Sequence, residues 1–223
     1  MNTQVVYTVL FLAGFWIIIQ LSEFLFYTFK VKAEITRKIA HILGSLSSLG
    51  FPFIFQSHWY VLFICIVFFL LLLYSKQKGV YNSIDFIQRD SSGSFLLPIA
   101  IYLLYFFYET TQDRMSFILP VLILGISDPL AGLVGTGFKH AIKIKVFTLV
   151  LQKTYIGSFT FFISTFILTV STFIFFDFSS STFLFSGFYI AIALTLVEIF
   201  SGRGWDNLTI PLFAFLLLWI LKP

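Results

Sequence analysis

The chain has 223 residues, of which 59% are hydrophobic, 21% aromatic and only 11% charged, with a mean hydropathy of +0.98 and a net charge of +4. Soluble domains are about half apolar and about a quarter charged, so no water-soluble fold of this size hides that much apolar surface. The composition excludes a soluble enzyme and defines a polytopic membrane protein whose main solvent is lipid. The sequence pI near 9.1 calls for no nucleic acid, because the basic residues stand where membrane topology wants them. One cysteine, Cys65, lies in the apolar run VLFICIVFFLLLLY. It has no internal disulfide partner and reads as packing.

In chain order, the first predicted span covers about 5–29. No basic region precedes it and its apolar run is long, which predicts an anchor rather than a cleaved signal. Further spans are predicted at 39–55, 59–74, 94–108, 115–136, 157–176, 183–200 and 207–221. A helix crossing the bilayer needs about 17–25 apolar residues, so the short ones are tilted, re-entrant or half-inserted. The fold class is therefore all-α, with about eight transmembrane helices and seven as the alternative. Residues 1–223 form a single integral membrane domain, without a linker, repeat or low-complexity tract.

Alternate loops hold Lys30, Lys32, Arg37 and Lys38; Lys76, Lys78 and Arg89; Lys139, Lys143, Lys145 and Lys153; and Arg203. Those are twelve of the 14 Lys and Arg residues. The positive-inside rule turns these loops to the cytoplasm and both termini outward. A bacterial inner membrane suits the compact chain and its short loops. Within the third basic loop, KIKVFTLVL fits two readings. It is a short strand at the membrane surface or a basic amphipathic segment lying on anionic lipid.

Several polar residues stand where lipid-level sequence makes them costly. In EITRKIAHILGSLSS, Arg37 and His41 are four apart and share a helix face, with Lys38 beside them. A basic flank anchoring the helix accounts for Arg37 and Lys38 but less well for His41, which enters the span. Gly44 and Ser45 are small enough for close helix packing. Asp128 lies in VLILGISDPLAGLVGTG, about two helical turns from the end of its span. A charge at mid-bilayer costs roughly 2.5–3.5 kcal/mol on insertion scales. Pro129 withholds a backbone donor beside it, and Gly125, Gly132, Gly135 and Gly137 allow close backbone approach. Such a helix is tolerated where it lines a cavity; the competing reading is a protonated or hydrogen-bonded Asp128 bridging two helices.

In QKTYIGSF, Lys153 precedes a span start at which Thr154 or Ser158 caps the helix. Free N–H groups there plus the lysine suit an anion, although an ordinary interfacial lysine with a cap has the same pattern. Glu198 sits in ALTLVEIF, nearly at lipid level, and the tight loop SGRGWDN brings it toward Asp206 and Asn207. Asp206 also suits a plain helix cap. Arg89 and Gly93 stand at the mouth of another span. His41, Asp128, Glu198 and Asp206 all fall on the basic side. Carboxylates with Lys and Arg on one face suit a metal–triphosphate complex, because Mg²⁺ takes carboxylate and phosphate oxygens. The second substrate would be a lipid entering beside the Phe-rich helices.

The motifs RKIAHILG (37–44), RDSSGSFLLP (89–98), GISDPLAGLVG (125–135), KTYIGSF (153–159) and VEIFSGRGWDNLTIPL (197–212) occur in that order. Together they resemble the polyprenol kinase family of membrane enzymes, which includes dolichol kinase, phytol kinase and CTP-dependent diacylglycerol kinase. The resemblance implies transfer of a phosphoryl group from a nucleoside triphosphate, typically CTP with Mg²⁺, to an isoprenoid or lipid alcohol. It implies that Asp128 is the central acidic residue of the nucleotide–metal site. Glu198, Asp206 and Asn207 would be further metal or nucleotide contacts. Lys153, Thr154, Gly157 and Ser158 would hold phosphates, and Arg37, Lys38 and His41 match the family's basic first motif. Asp128 or His41 would accept the alcohol proton. Ile156 stands where relatives often carry Glu, and TGFKH after Gly135 is less basic than the family pattern. A phosphatidate cytidylyltransferase-like enzyme, a catalytically impaired relative and a non-enzymatic transporter or scaffold are the competing classes.

Overall fold

The computed structural model describes residues 3–85, 92–138, 141–146, 149–178 and 183–221. Each predicted span coincides with a helix or a short run of helices. The first is α1 (Thr3–Thr28), followed by α2 (Ala33–Ser48) and the single turn α3 (Phe51–Ile54). Next come α4 (His58–Lys78), the short α5 (Asn82–Asp85) and α6 (Gly93–Thr111). The fifth span is α7 (Met115–Leu122), a π-helical turn at Ile123–Ser127 and α8 (Asp128–Gly137). A β-hairpin follows, β1 (Lys143–Val146) and β2 (Leu149–Thr154), then α9 (Tyr155–Phe175), α10 (Phe183–Phe200) and α11 (Asp206–Leu221). Six of these spans are long and apolar enough to cross a membrane, while α2–α3 and α11 are shorter. The protein is an integral membrane helical bundle.

The third basic loop resolves as strands. β1 and β2 pair antiparallel, with Lys143 opposite Thr154 and Val146 opposite Leu149, and the register shifts between Lys143 and Lys145. The β-branched residues favour the ladder, and Tyr155 N–H extends it to the Ile142 carbonyl at 3.1 Å. The hairpin delivers Lys153 to the mouth of the bundle, directly before α9.

The fifth span is the axis of the bundle. Of its apolar window 56% is buried, against 17% for α1. Two apolar clusters share it: Phe51, Phe55, Ile64, Tyr105 and Phe117 on one side, and Leu119, Ile123, Phe161, Leu194 and Ile210 on the other. Large apolar side chains on α1, α4, α9 and α10, among them Leu10, Trp16, Phe185 and Phe175, point outward to the lipid.

Small residues let α2 approach this axis. A methyl added to Gly125 would lie 2.6 Å from Ser45 Cβ. Gly125→Ala is therefore expected to lower stability by about 1–3 kcal/mol. Ser45→Gly in the same chain should recover most of it, read as thermal melting in detergent. An absence of recovery would show that the approach of α2 to the π turn does not set the cost.

Candidate functional site

The helix ends on the basic-loop side of the bundle enclose a polar cavity of about 830 Å³ out to its mouth. Four elements bring one charged cluster together there. Lys153 Nζ, at the end of β2, lies 2.8 Å from Glu198 Oε1 on α10, 2.9 Å from Asp206 Oδ2 on α11 and 3.9 Å from Asp128 Oδ1 on α8. The Glu198 side chain is 2% exposed and those of Asp128, Lys153 and Asp206 are 14–18% exposed. Burial alone would lower the Lys153 ammonium, but the carboxylates of Asp206, Asp128 and Glu198 outweigh it and hold the amine above the ordinary lysine range. Three carboxylates around one lysine leave a net negative centre that welcomes further positive charge.

α2 supplies the facing wall. Arg37, Lys38 and His41 all line the same cavity. Lys38 lies 3.9 Å from Glu34 one turn back and donates to the Pro129 carbonyl at 3.5 Å. Its ammonium crosses the α8 surface at Gly132, where a Cβ would collide with it. The π turn explains the position of His41. The Asp128 N–H reaches back five residues to the Ile123 carbonyl, so the next π-type donor would be residue 129, aimed at Leu124. Residue 129 is proline and has no N–H. His41 Nε2 takes its place on the Leu124 carbonyl at 2.9 Å. The expected disturbance at Pro129 is thus a π turn that frees a carbonyl, not a break in the helix.

At the start of α9, the Thr154 hydroxyl accepts the Gly157 N–H at 3.2 Å and caps the helix. Gly157 also lets α9 rest on α8, since a Cβ there would lie 2.9 Å from the Ala131 carbonyl and 3.4 Å from Gly135 Cα. Asn207 Nδ2 donates to the Gly93 carbonyl at 2.6 Å, tying α11 to the first residue of α6. Asp206, the first residue of α11, takes the Asn207 N–H on Oδ1 at 3.1 Å and Lys153 on Oδ2 at 2.9 Å.

Of the residues singled out from sequence, Arg37, Lys38, His41, Asp128, Lys153, Thr154, Gly157, Glu198, Asp206 and Asn207 share this one cavity. Ser158 does not line it. Its hydroxyl is buried behind the carboxylates and donates to Glu198 Oε2 at 2.8 Å, so it holds Glu198 and stays off the wall expected to meet phosphate. Arg89 lies outside the described residues. Ile156, the departure from the family pattern, does not line the cavity. The tight loop read in SGRGWDN also meets Gln152, a residue the sequence does not single out. The Gln152 side chain accepts the Arg203 N–H at 3.2 Å, and Ser92 N–H donates to the Arg203 carbonyl at 2.8 Å. Arg203 adopts φ 55° beside Gly204 at φ 88°; the Gly-Arg-Gly run was the available signal of so tight a turn.

Among the described residues, no three His, Cys, Asp or Glu side chains group as a metal cage. Asp128, Glu198 and Asp206 gather instead on the Lys153 ammonium. That arrangement fits Mg²⁺ held by one or two carboxylates and by substrate phosphates, the usual manner for this ion. It does not fit a cation held by protein ligands alone.

Fold and site define an integral membrane protein with a lysine-centred acidic cavity facing a basic helix at one membrane surface. No family model and no solved structure matches the chain. The chain is similar to a phytol kinase of Synechocystis sp., with 27% identity over 194 residues, 84% of this chain and 79% of that protein. This similarity supports the polyprenol and phytol kinase-like family, the one its ordered motifs resemble.

Proposed function

We propose that the protein is a membrane kinase that transfers the γ-phosphoryl group of CTP to an isoprenoid alcohol at the cytoplasmic face. One observation carries the reading. A single cavity joins Lys153 and three carboxylates to Arg37 and Lys38 across from them, in a chain similar to a phytol kinase. Phosphoryl transfer needs in-line positioning and charge stabilisation more than covalent chemistry from the protein.

In this reading Arg37, Lys38 and Lys153 bind the phosphate oxygens, and Asp128 and Asp206 attach Mg²⁺ shared with the triphosphate. A bound Mg²⁺ supplies further neutralisation of the phosphate charge. Glu198, held by Ser158, keeps Lys153 charged and fixed. The alcohol oxygen bonds to the γ-phosphorus as the bridging bond to the β-phosphate breaks, and CDP leaves. The hydroxyl proton passes to His41 through the ring nitrogen that Leu124 does not engage.

The test is purified protein in lipid with Mg²⁺, γ-labelled CTP or ATP, and phytol, farnesol, geranylgeraniol, undecaprenol or diacylglycerol. Label is expected on an isoprenoid alcohol, with CTP preferred. CDP-lipid made from phosphatidate would identify a cytidylyltransferase instead. Neither product from folded protein would mark a chain that keeps the architecture without the reaction.

A further inference from the structure

A second cavity, of about 730 Å³ out to its mouth and with almost wholly apolar walls, lies between α1, α2, α4 and α6. It adjoins the charged site: Arg37 and His41 line both cavities. Polarity therefore changes sharply across these two residues, from the carboxylates and Lys153 on one side to apolar walls that include Ile19, Cys65 and Phe68 on the other.

Gly44 provides a second, independent observation. It is buried on α2 and lines this cavity, yet a Cβ built on it meets nothing within 4 Å. Gly125, Gly132, Gly135 and Gly157 have neighbours that a Cβ would crowd. Their small size serves packing. The room at Gly44 serves none of the protein's own side chains. A glycine inside a helix is destabilising relative to alanine, and here no contact of an added Cβ explains its small size.

Resting on the kinase reading above, we infer that the apolar cavity holds the isoprenoid tail of the acceptor alcohol, with its hydroxyl at Arg37 and His41 and its chain passing over Gly44. The occupant follows from continuity with the charged site. A ligand with one polar end and a long apolar body fills both compartments, and its reactive end lies beside the phosphate-binding wall. Phe51, whose side chain is 1% exposed, also lines the cavity.

The test pairs Gly44→Leu with photolabelling. A Cβ at position 44 is unobstructed and leucine improves helix propensity, so the variant is expected to melt no lower than wild type and to bind CTP with unchanged affinity. Its KM for phytol or geranylgeraniol is expected to rise at least tenfold, with a smaller rise for geraniol. Gly44→Ala should change KM little. In parallel, a prenol carrying a terminal diazirine is crosslinked to protein in lipid vesicles and the labelled peptides are mapped. Labels are expected on α1, α4 and the end of α2, competed by unlabelled phytol and reduced in Gly44→Leu. Labels confined to the lipid-facing surface, or a Gly44→Leu variant with unchanged KM for every alcohol, would overturn the inference. A cavity filled by vesicle phospholipid that phytol does not displace would overturn it too. If wild type phosphorylates no alcohol, the kinase reading fails alone, because labelling still decides what the cavity holds.

Discussion

Lys153→Met is expected to abolish phosphoryl transfer and to destabilise the bundle by about 3–5 kcal/mol, the usual cost of removing one partner from a buried ionic cluster. The lysine lies within 4 Å of Glu198 Oε1, Asp206 Oδ2 and Asp128 Oδ1. Without it three carboxylates face one another in a partly desolvated pocket. Glu198→Gln in the same chain should recover part of the stability, because it removes the most buried of the stranded charges. It should recover none of the activity. Lys153→Arg keeps the charge but replaces a compact ammonium with a wide planar fork, so fold is retained and rate is lost. Melting in detergent and label transfer from γ-labelled CTP measure the two effects. Full activity in Lys153→Met would remove the lysine from the site.

Asp128→Asn is expected to separate activity from stability. Of the three carboxylates, Asp128 is the farthest from Lys153, at 3.9 Å against 2.8 and 2.9 Å. Glu198 and Asp206 still neutralise the lysine when Asp128 becomes an amide, and mutual repulsion falls. Melting temperature should hold or rise. Transfer should drop about 100-fold or more, the usual scale for removing one group that stabilises transition-state charge. An unchanged rate would leave Asp128 a helix-bridging residue, with Asp206 the sole carboxylate for the metal–triphosphate complex. A drop in stability as large as that of Lys153→Met would show that Asp128 acts structurally.

The helices behind the predicted spans were legible because bilayer thickness sets helix length, six of them long enough to cross, and α4, α6 and α10 begin within a residue of the predicted starts. The hairpin was not decided, because KIKVFTLVL satisfies the pattern of a strand and of a basic surface segment alike; pairing with a partner strand settles it. At the site, the residue types were readable but their partnerships were not. Lys153 looked like an interfacial lysine, and its nearest partners lie 45 and 53 positions later in the chain. Ser158 is a phosphate contact by the family resemblance, yet its rotation about the helix turns it to Glu198. The π turn left no mark on side-chain pattern, since an extra residue in a turn is not a residue type. Gln152 was missed because it acts through a backbone partner, which sequence does not display.

Pro129 carries no chemistry of its own, yet it governs the protonation pattern of the candidate base. A carbonyl only accepts, so the Leu124 oxygen compels Nε2 of His41 to carry hydrogen. The neutral ring is therefore locked as one tautomer, with its lone pair on Nδ1. Pro129→Ala would restore a backbone N–H aimed at Leu124 and set it in competition with the imidazole. The ring would then sample both tautomers and lose its fixed orientation, a change visible in the ¹⁵N shifts of a His41-labelled sample. An alanine that touches neither nucleotide nor alcohol would thus act as a lesion in proton transfer.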